Sequence, residues 1–112
     1  MSVQHTTQQG LTIVSISGEL TLVTASQLKK RLFELTEDGA THLIIDLQQV
    51  PFIDSTGLGA LVSGLKNAKL KGGNLVLAAL QEQARSIFEI TMAYRIFDLY
   101  ESVSEAQRQM SA

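Results

Sequence analysis

The chain has 112 residues, 45% of them hydrophobic and 18% charged, with a net charge of −2 and no cysteine. That composition suits one compact domain spanning residues 1–112 and excludes a disordered chain, a disulfide scaffold and a thiolate metal site. Acidic and basic residues are mixed along the sequence, so no electrostatic case exists for nucleic acid as a partner.

The first nine residues carry neither a basic region nor an apolar run, so no signal peptide is read there. The longest apolar run, Leu75 to Leu80, falls far short of the about 20 residues that cross a bilayer. A soluble cytoplasmic domain without direct membrane insertion is the expectation.

In chain order, Val3 to Gln8 and Leu11 to Ser17 predict two strands around a Gln9-Gly10 turn. Gly18-Glu19-Leu20-Thr21 leads into a helix of roughly Ala25 to Glu37, with Thr24 or Ser26 as its cap and Leu28, Leu32 and Leu35 as its buried face. Lys29, Lys30, Arg31 and Glu34 read as the solvated side of that helix, which Asp38-Gly39 closes. His42 to Leu47 predicts a third strand whose continuous apolar centre implies burial on both faces. Gln48-Gln49 reads as a short connection to the strand-like run Val50-Pro51-Phe52-Ile53.

Asp54-Ser55-Thr56-Gly57-Leu58-Gly59 then opens an amphipathic helix. Leu58, Leu61, Val62 and Leu65 recur at helical spacing, and Gly72-Gly73 stops the helix near Lys71. Lys66, Lys69 and Lys71 complement the dipole at its end. Asn74 to Ala79 is the fourth strand. Gln81 to about Ile90 reads as a third helix with Ala84, Ile87 and Phe88 inward, and residues 91–95 as a connector. Ile96 to Tyr100 is a fifth strand at a sheet edge, and Ser102 caps a last helix carrying Val103, Ala106 and Met110. Helices alternating with strands after an opening hairpin predict an α/β fold: a mixed, mostly parallel sheet of four to five strands with about four helices.

On such sheets ligands and partners meet the loops at the carboxyl ends of strands, and the 54–59 turn is one of those loops. Gly18 to Thr21 is placed on the same rim. Asp54 or Ser55 suits the N-cap, since a side-chain oxygen there accepts from first-turn amides. Either assignment leaves a hydroxyl where the helix end is electropositive, so a phosphate on Ser55 would be stabilised. Gly57 and Gly59 each cost roughly 1 kcal/mol against alanine within a helix. Close approach of another surface explains them, and so does tight packing onto the strand.

Taken together these residues resemble a STAS domain of the anti-sigma factor antagonist type, over about Val3 to Met110. The resemblance rests on Gly18-Glu19-Leu20, Thr24-Ala25, Leu43-Ile44-Ile45-Asp46-Leu47, Phe52-Ile53-Asp54-Ser55-Thr56-Gly57-Leu58-Gly59, and Lys71-Gly72-Gly73 before Leu75-Val76-Leu77. It implies a partner-switching regulator whose Ser55 is phosphorylated by an anti-sigma factor that is itself a serine kinase. It also implies a serine phosphatase that resets the cycle. Any Mg-ATP would belong to the kinase, so no cofactor is expected in this chain, and a monomer is the default. Asp54, Thr56, Gly57, Gly59, Thr21 and Ser63 are the expected supports and partner contacts around Ser55. Many family members carry an aspartate after Gly-Glu-Leu where this chain has Thr21, which implies altered kinase engagement or partner choice. It also makes Thr21 and Thr56 secondary acceptors.

Two further roles accompany this resemblance: a STAS subunit of a lipid or solute ABC transporter, and a scaffold component of a signalling assembly. Catalysis is not expected. Ser55 beside Asp54 lacks a base, because the only histidines are His5 near the N-terminus and His42 at a strand start. Asp46 and Asp54 do not make a metal site without further ligands, and Gly57-Leu58-Gly59 lacks the lysine of a phosphate-binding loop.

Overall fold

Residues 1–111 are described by the computed structural model. The strands are β1 (Ser2–Gln8), β2 (Leu11–Ser17), β3 (His42–Gln49), β4 (Asn74–Ala78) and β5 (Leu99–Tyr100). The helices are α1 (Ala25–Glu37), α2 (Ser55–Leu70), α3 (Arg85–Ile90) and α4 (Val103–Ser111). The sheet order is β1-β2-β3-β4-β5. β1 and β2 form an antiparallel hairpin, and every later pairing is parallel. The expected α/β fold with a mixed, mostly parallel sheet is the one present.

Period-two alternation sorts the strand side chains onto two faces. Val14, Ile16, Leu43, Ile45, Leu47, Leu75 and Leu77 pack against α1, α2 and α3 in the main core. Leu11, Ile44, Val76 and Ala78 point the other way and meet Ala106 of α4. This two-sided burial is why β3 and β4 read as continuous apolar runs rather than alternating ones.

Several boundaries differ from the sequence reading, each for a local reason. β3 continues through Gln48 and Gln49, because an extra residue forms a bulge opposite β2, where Ser15 pairs with Asp46 but Ser17 with Gln49. The 50–53 run is no strand; an isolated bridge joins its Ile53 to Leu20 in the loop after β2. β4 stops at Ala78, since Ala79 turns to φ +60°. The third helix begins as a 3₁₀ turn at Glu82–Ala84, and a second such turn at Ala93–Arg95 occupies the expected connector. β5 loses Ile96 to Asp98 because Phe97 turns into the core, edge-on to Phe88 with ring centroids 6.0 Å apart. Ser102 does cap the last helix, accepting from the Glu105 amide at 3.1 Å.

Candidate functional site

The carboxyl ends of β2 and β3 carry two loops that are joined to each other. Beyond the strands, the Gly18 amide donates to the Gln49 carbonyl at 3.0 Å and the Leu20 amide to the Phe52 carbonyl at 2.9 Å. The Asp54 amide then donates to the Leu20 carbonyl at 3.1 Å. Parallel pairing is thereby carried past the sheet edge, up to the first turn of α2.

Asp54 is the N-cap. Its Oδ1 accepts from the Gly57 amide at 2.8 Å and its Oδ2 from the Leu22 amide at 2.9 Å. One carboxylate therefore caps α2 and ties down the loop before α1. The Gly57 amide, then the Leu22 amide, hold the Asp54 carboxyl below its ordinary value of 3.8. Both oxygens face backbone donors, so this aspartate serves the scaffold rather than the neighbouring hydroxyl.

A depressed folded-state pKa means that Asp54 contributes stability above its unfolded value and loses it as pH falls through the folded one. Thermal melts taken from about pH 6 down to about pH 2 should show a shallower acid decline for Asp54→Asn than for the parent. Parallel curves would remove this account of the carboxylate.

Ser55 is the first helical residue and is exposed, with no hydrogen bond to its hydroxyl among the described residues. In the first turn, Asp54 takes the Gly57 amide through its side chain and the Leu58 amide through its carbonyl at 2.9 Å. The Thr56 amide leans weakly toward the same carboxylate, which leaves the Ser55 amide open at the positive end of the helix.

The two glycines have different explanations. A Cβ on Gly57 would stand 2.2 Å from the Leu20 carbonyl oxygen, so its lack of a side chain lets α2 sit against the neighbouring loop. Gly57 is buried by that packing and is not open to a partner. Gly59 is exposed, and nothing lies within 4 Å of an added Cβ. Thr56 and Gly59 share the outer surface with Ser55, whereas Ser63 lies two turns further along and is half-buried. Thr21 is half-buried on the adjoining loop, with its hydroxyl accepting from the Val23 amide at 3.3 Å. Thr24 occupies the N-cap of α1, but its hydroxyl turns back to the Glu19 carbonyl at 2.9 Å instead of capping the helix.

The sequence reading passed over several neighbours of Ser55. Leu22 is 72% exposed and Val23 86%, and Phe52, expected in a strand, is 46% exposed. Their backbones are fixed by the loop pairing, so their side chains form an apolar rim on the same edge as Ser55. The available signal was Leu22-Val23 itself, an apolar pair inside a loop. Lys29, assigned to a solvated face, lines a groove of about 370 Å³ between α1 and α2 with Ser26, Thr56 and Gly59.

Among the described residues, neither histidine stands beside Ser55. His42 lies at the opposite end of β3 and approaches Thr41, and His5 contacts Arg31 at 3.1 Å. Asp46 accepts from the Gln48 amide at 3.1 Å, which makes it a support of the bulge. Among the described residues, no cluster of three metal-ligating side chains occurs and no helix is long and apolar enough to cross a membrane.

Comparison with known proteins places the chain as follows. The family model for the STAS domain matches residues 2–106. A Bacillus subtilis protein named anti-sigma-B factor antagonist is 41% identical over 86 residues, covering 77% of this chain and 78% of that one. The crystal structure of a proposed anti-sigma factor antagonist from Thermotoga maritima has a TM-score of 0.92 at 26% identity, covering 98% of this chain and 95% of its own. An anti-sigma factor antagonist from Mycobacterium paratuberculosis gives 0.88 at 26% identity, over 99% and 94% of the two chains.

Proposed function

We propose, from the premise that this chain belongs to the STAS-domain family, that it is an anti-sigma factor antagonist switched by phosphorylation at Ser55. In the unmodified form it binds an anti-sigma factor that is itself a serine kinase, and so releases a sigma factor. Phosphate on Ser55 ends that contact, and a serine phosphatase restores it. The observation that carries this reading is the exposed Ser55 hydroxyl, at a helix N-terminus where Asp54 takes the Gly57 and Leu58 amides, beside the apolar rim of Leu22, Val23 and Phe52.

Each part of the rim has a distinct task in this scheme. The apolar side chains supply area that gains by leaving water, about 25 cal/mol per Å² buried. Gly59 and Thr56 present a low surface, so the partner backbone can approach the hydroxyl closely. Asp54 acts indirectly, by fixing the turn on which Ser55 stands. A phosphate there is tolerated by the free protein, because solvent, the Ser55 amide and the helix dipole all face it.

Mass measurement and peptide mapping of the protein from its own cells, growing and stressed, test the proposal directly. One phosphate on Ser55, changing in occupancy with condition and absent from Ser55→Ala, is expected. Phosphate confined to Thr21 or Thr56 would move the acceptor. No phosphate in any condition, with a membrane ATPase co-purifying, would favour a transporter subunit.

A further inference from the structure

A second apolar surface lies far from Ser55. Val62, Leu65, Lys66, Lys69 and Leu70 on the later turns of α2, together with Ile96, line a groove of about 640 Å³. Leu70 is 83% exposed and Ile96 52%, although both are large aliphatic residues. Ile90, Met92 and Tyr94 add exposed apolar area along the segment that leads to Ile96. From Ser55 to Leu70 the helix advances about 22 Å, so this groove is separate from the phosphoacceptor rim.

The charges beside the groove are of one kind. Lys71 is paired with Glu37 at 3.5 Å, but Lys66 and Lys69 make no ion pair among the described residues. Their value to the helix dipole accounts at most for Lys69, since Lys66 lies above the last turn. Two exposed cations flanking an apolar trough, on a chain of net charge −2, complement a partner of opposite sign.

Shape and charge select among occupants. A stable contact with a second copy would need roughly 20–30 residues a side, whereas six residues line this groove. A lipid surface is met by a convex apolar face with many basic residues, whereas this feature is concave and the whole chain is acidic. An amphipathic helix is a ridge that fits a trough, with apolar residues inward and carboxylates along its edges.

We propose that the groove between the later turns of α2 and Ile96 is a docking site for an acidic amphipathic helix of another protein, independent of Ser55. Carboxylates of that helix pair with Lys66 and Lys69, while its apolar stripe covers Val62, Leu65, Leu70 and Ile96. The domain thereby holds two partners at once, one at each end of α2.

The test uses the full chain, isotopically labelled, and two synthetic helical peptides. Both carry leucine at i, i+3 and i+7; one has glutamate and the other lysine at the flanking positions. The glutamate peptide is expected to bind saturably, shifting the amide signals of Val62, Lys66, Lys69, Leu70 and Ile96. The double variant Lys66→Glu, Lys69→Glu should bind it at least about tenfold more weakly and should bind the lysine peptide in exchange. Ser55→Asp should bind the glutamate peptide unchanged, which separates this site from the switch. Equal binding of both peptides by the parent chain, shifts confined to other residues, or no binding would overturn the proposal. Dimerisation through this face or flotation with anionic vesicles, without peptide binding, would equally overturn it.

Discussion

Ser55→Asp is expected to bind the anti-sigma kinase about a hundredfold or more weakly than Ser55→Ala, with both variants folded. The reason is the contrast between two environments of one side chain. In the free domain position 55 faces solvent at the electropositive end of α2, so an anion there is neutral or mildly stabilising. In the proposed complex it would lie under a partner that closes over Leu22, Val23 and Phe52 and excludes water. An unpaired charge buried in that contact costs on the order of 3 kcal/mol, and each 1.4 kcal/mol is a factor of ten. Alanine removes only a small hydroxyl and keeps the shape. Titration calorimetry with both variants measures the difference, and thermal melts check that neither has unfolded. Equal affinities would dispose of the charge switch while leaving the fold untouched.

Gly57→Ala is expected to be the most damaging single methyl in the site, destabilising by about 3 kcal/mol. Its Cβ would lie 2.2 Å from the Leu20 oxygen and 2.7 Å from the Leu20 carbonyl carbon, which are backbone atoms unable to swing aside. That same oxygen accepts from the Asp54 amide, so any retreat of the loop breaks a bond between the two rim segments. Gly59→Ala provides the internal control. It adds the same methyl one half-turn away, meets nothing within 4 Å, and gains up to about 1 kcal/mol of helix propensity. Chemical denaturation of the pair should therefore show opposite signs. Similar losses for both would mean that helix propensity and contact with Leu20 had been wrongly assigned.

These two glycines also mark what could be read from the sequence. The glycine pair was visible as a cost within a helix, but one string of residues did not distinguish internal packing from an open approach. Only the position of Leu20, thirty-odd residues earlier in the chain, decides it. The same holds for Asp54: helix-end chemistry pointed to a cap, yet its second bond goes to the Leu22 amide across 32 residues. Periodic features were legible because their cause is local. Leu28, Leu32 and Leu35 on α1, and Leu58, Leu61 and Leu65 on α2, are buried as their spacing requires. Phe52 misled because an apolar residue in an apolar run normally goes inward, whereas here the main chain of 50–53 bonds to the loop and turns the ring out. The fifth strand shrank because one buried aromatic, Phe97, outweighed the β propensity of its neighbours.

The sheet order has a meaning for how such a molecule comes into being. Because β1 to β5 lie side by side in the order of the chain, every strand joins the edge left by the one synthesised before it. Nothing must be inserted between strands already paired, and each parallel strand pairs with its predecessor across a single crossover. The sheet can grow from one side as the polypeptide leaves the ribosome. Its two final margins are poor templates for a stray strand. One is the polar hairpin arm Ser2–Gln8, and the other is the two-residue strand Leu99–Tyr100. Helix α4, which follows β5, closes the face of Ile44, Val76 and Ala78. A nascent chain stalled before α4 emerges would leave that face uncovered, so the sticky interval falls between the making of β4 and the docking of this helix.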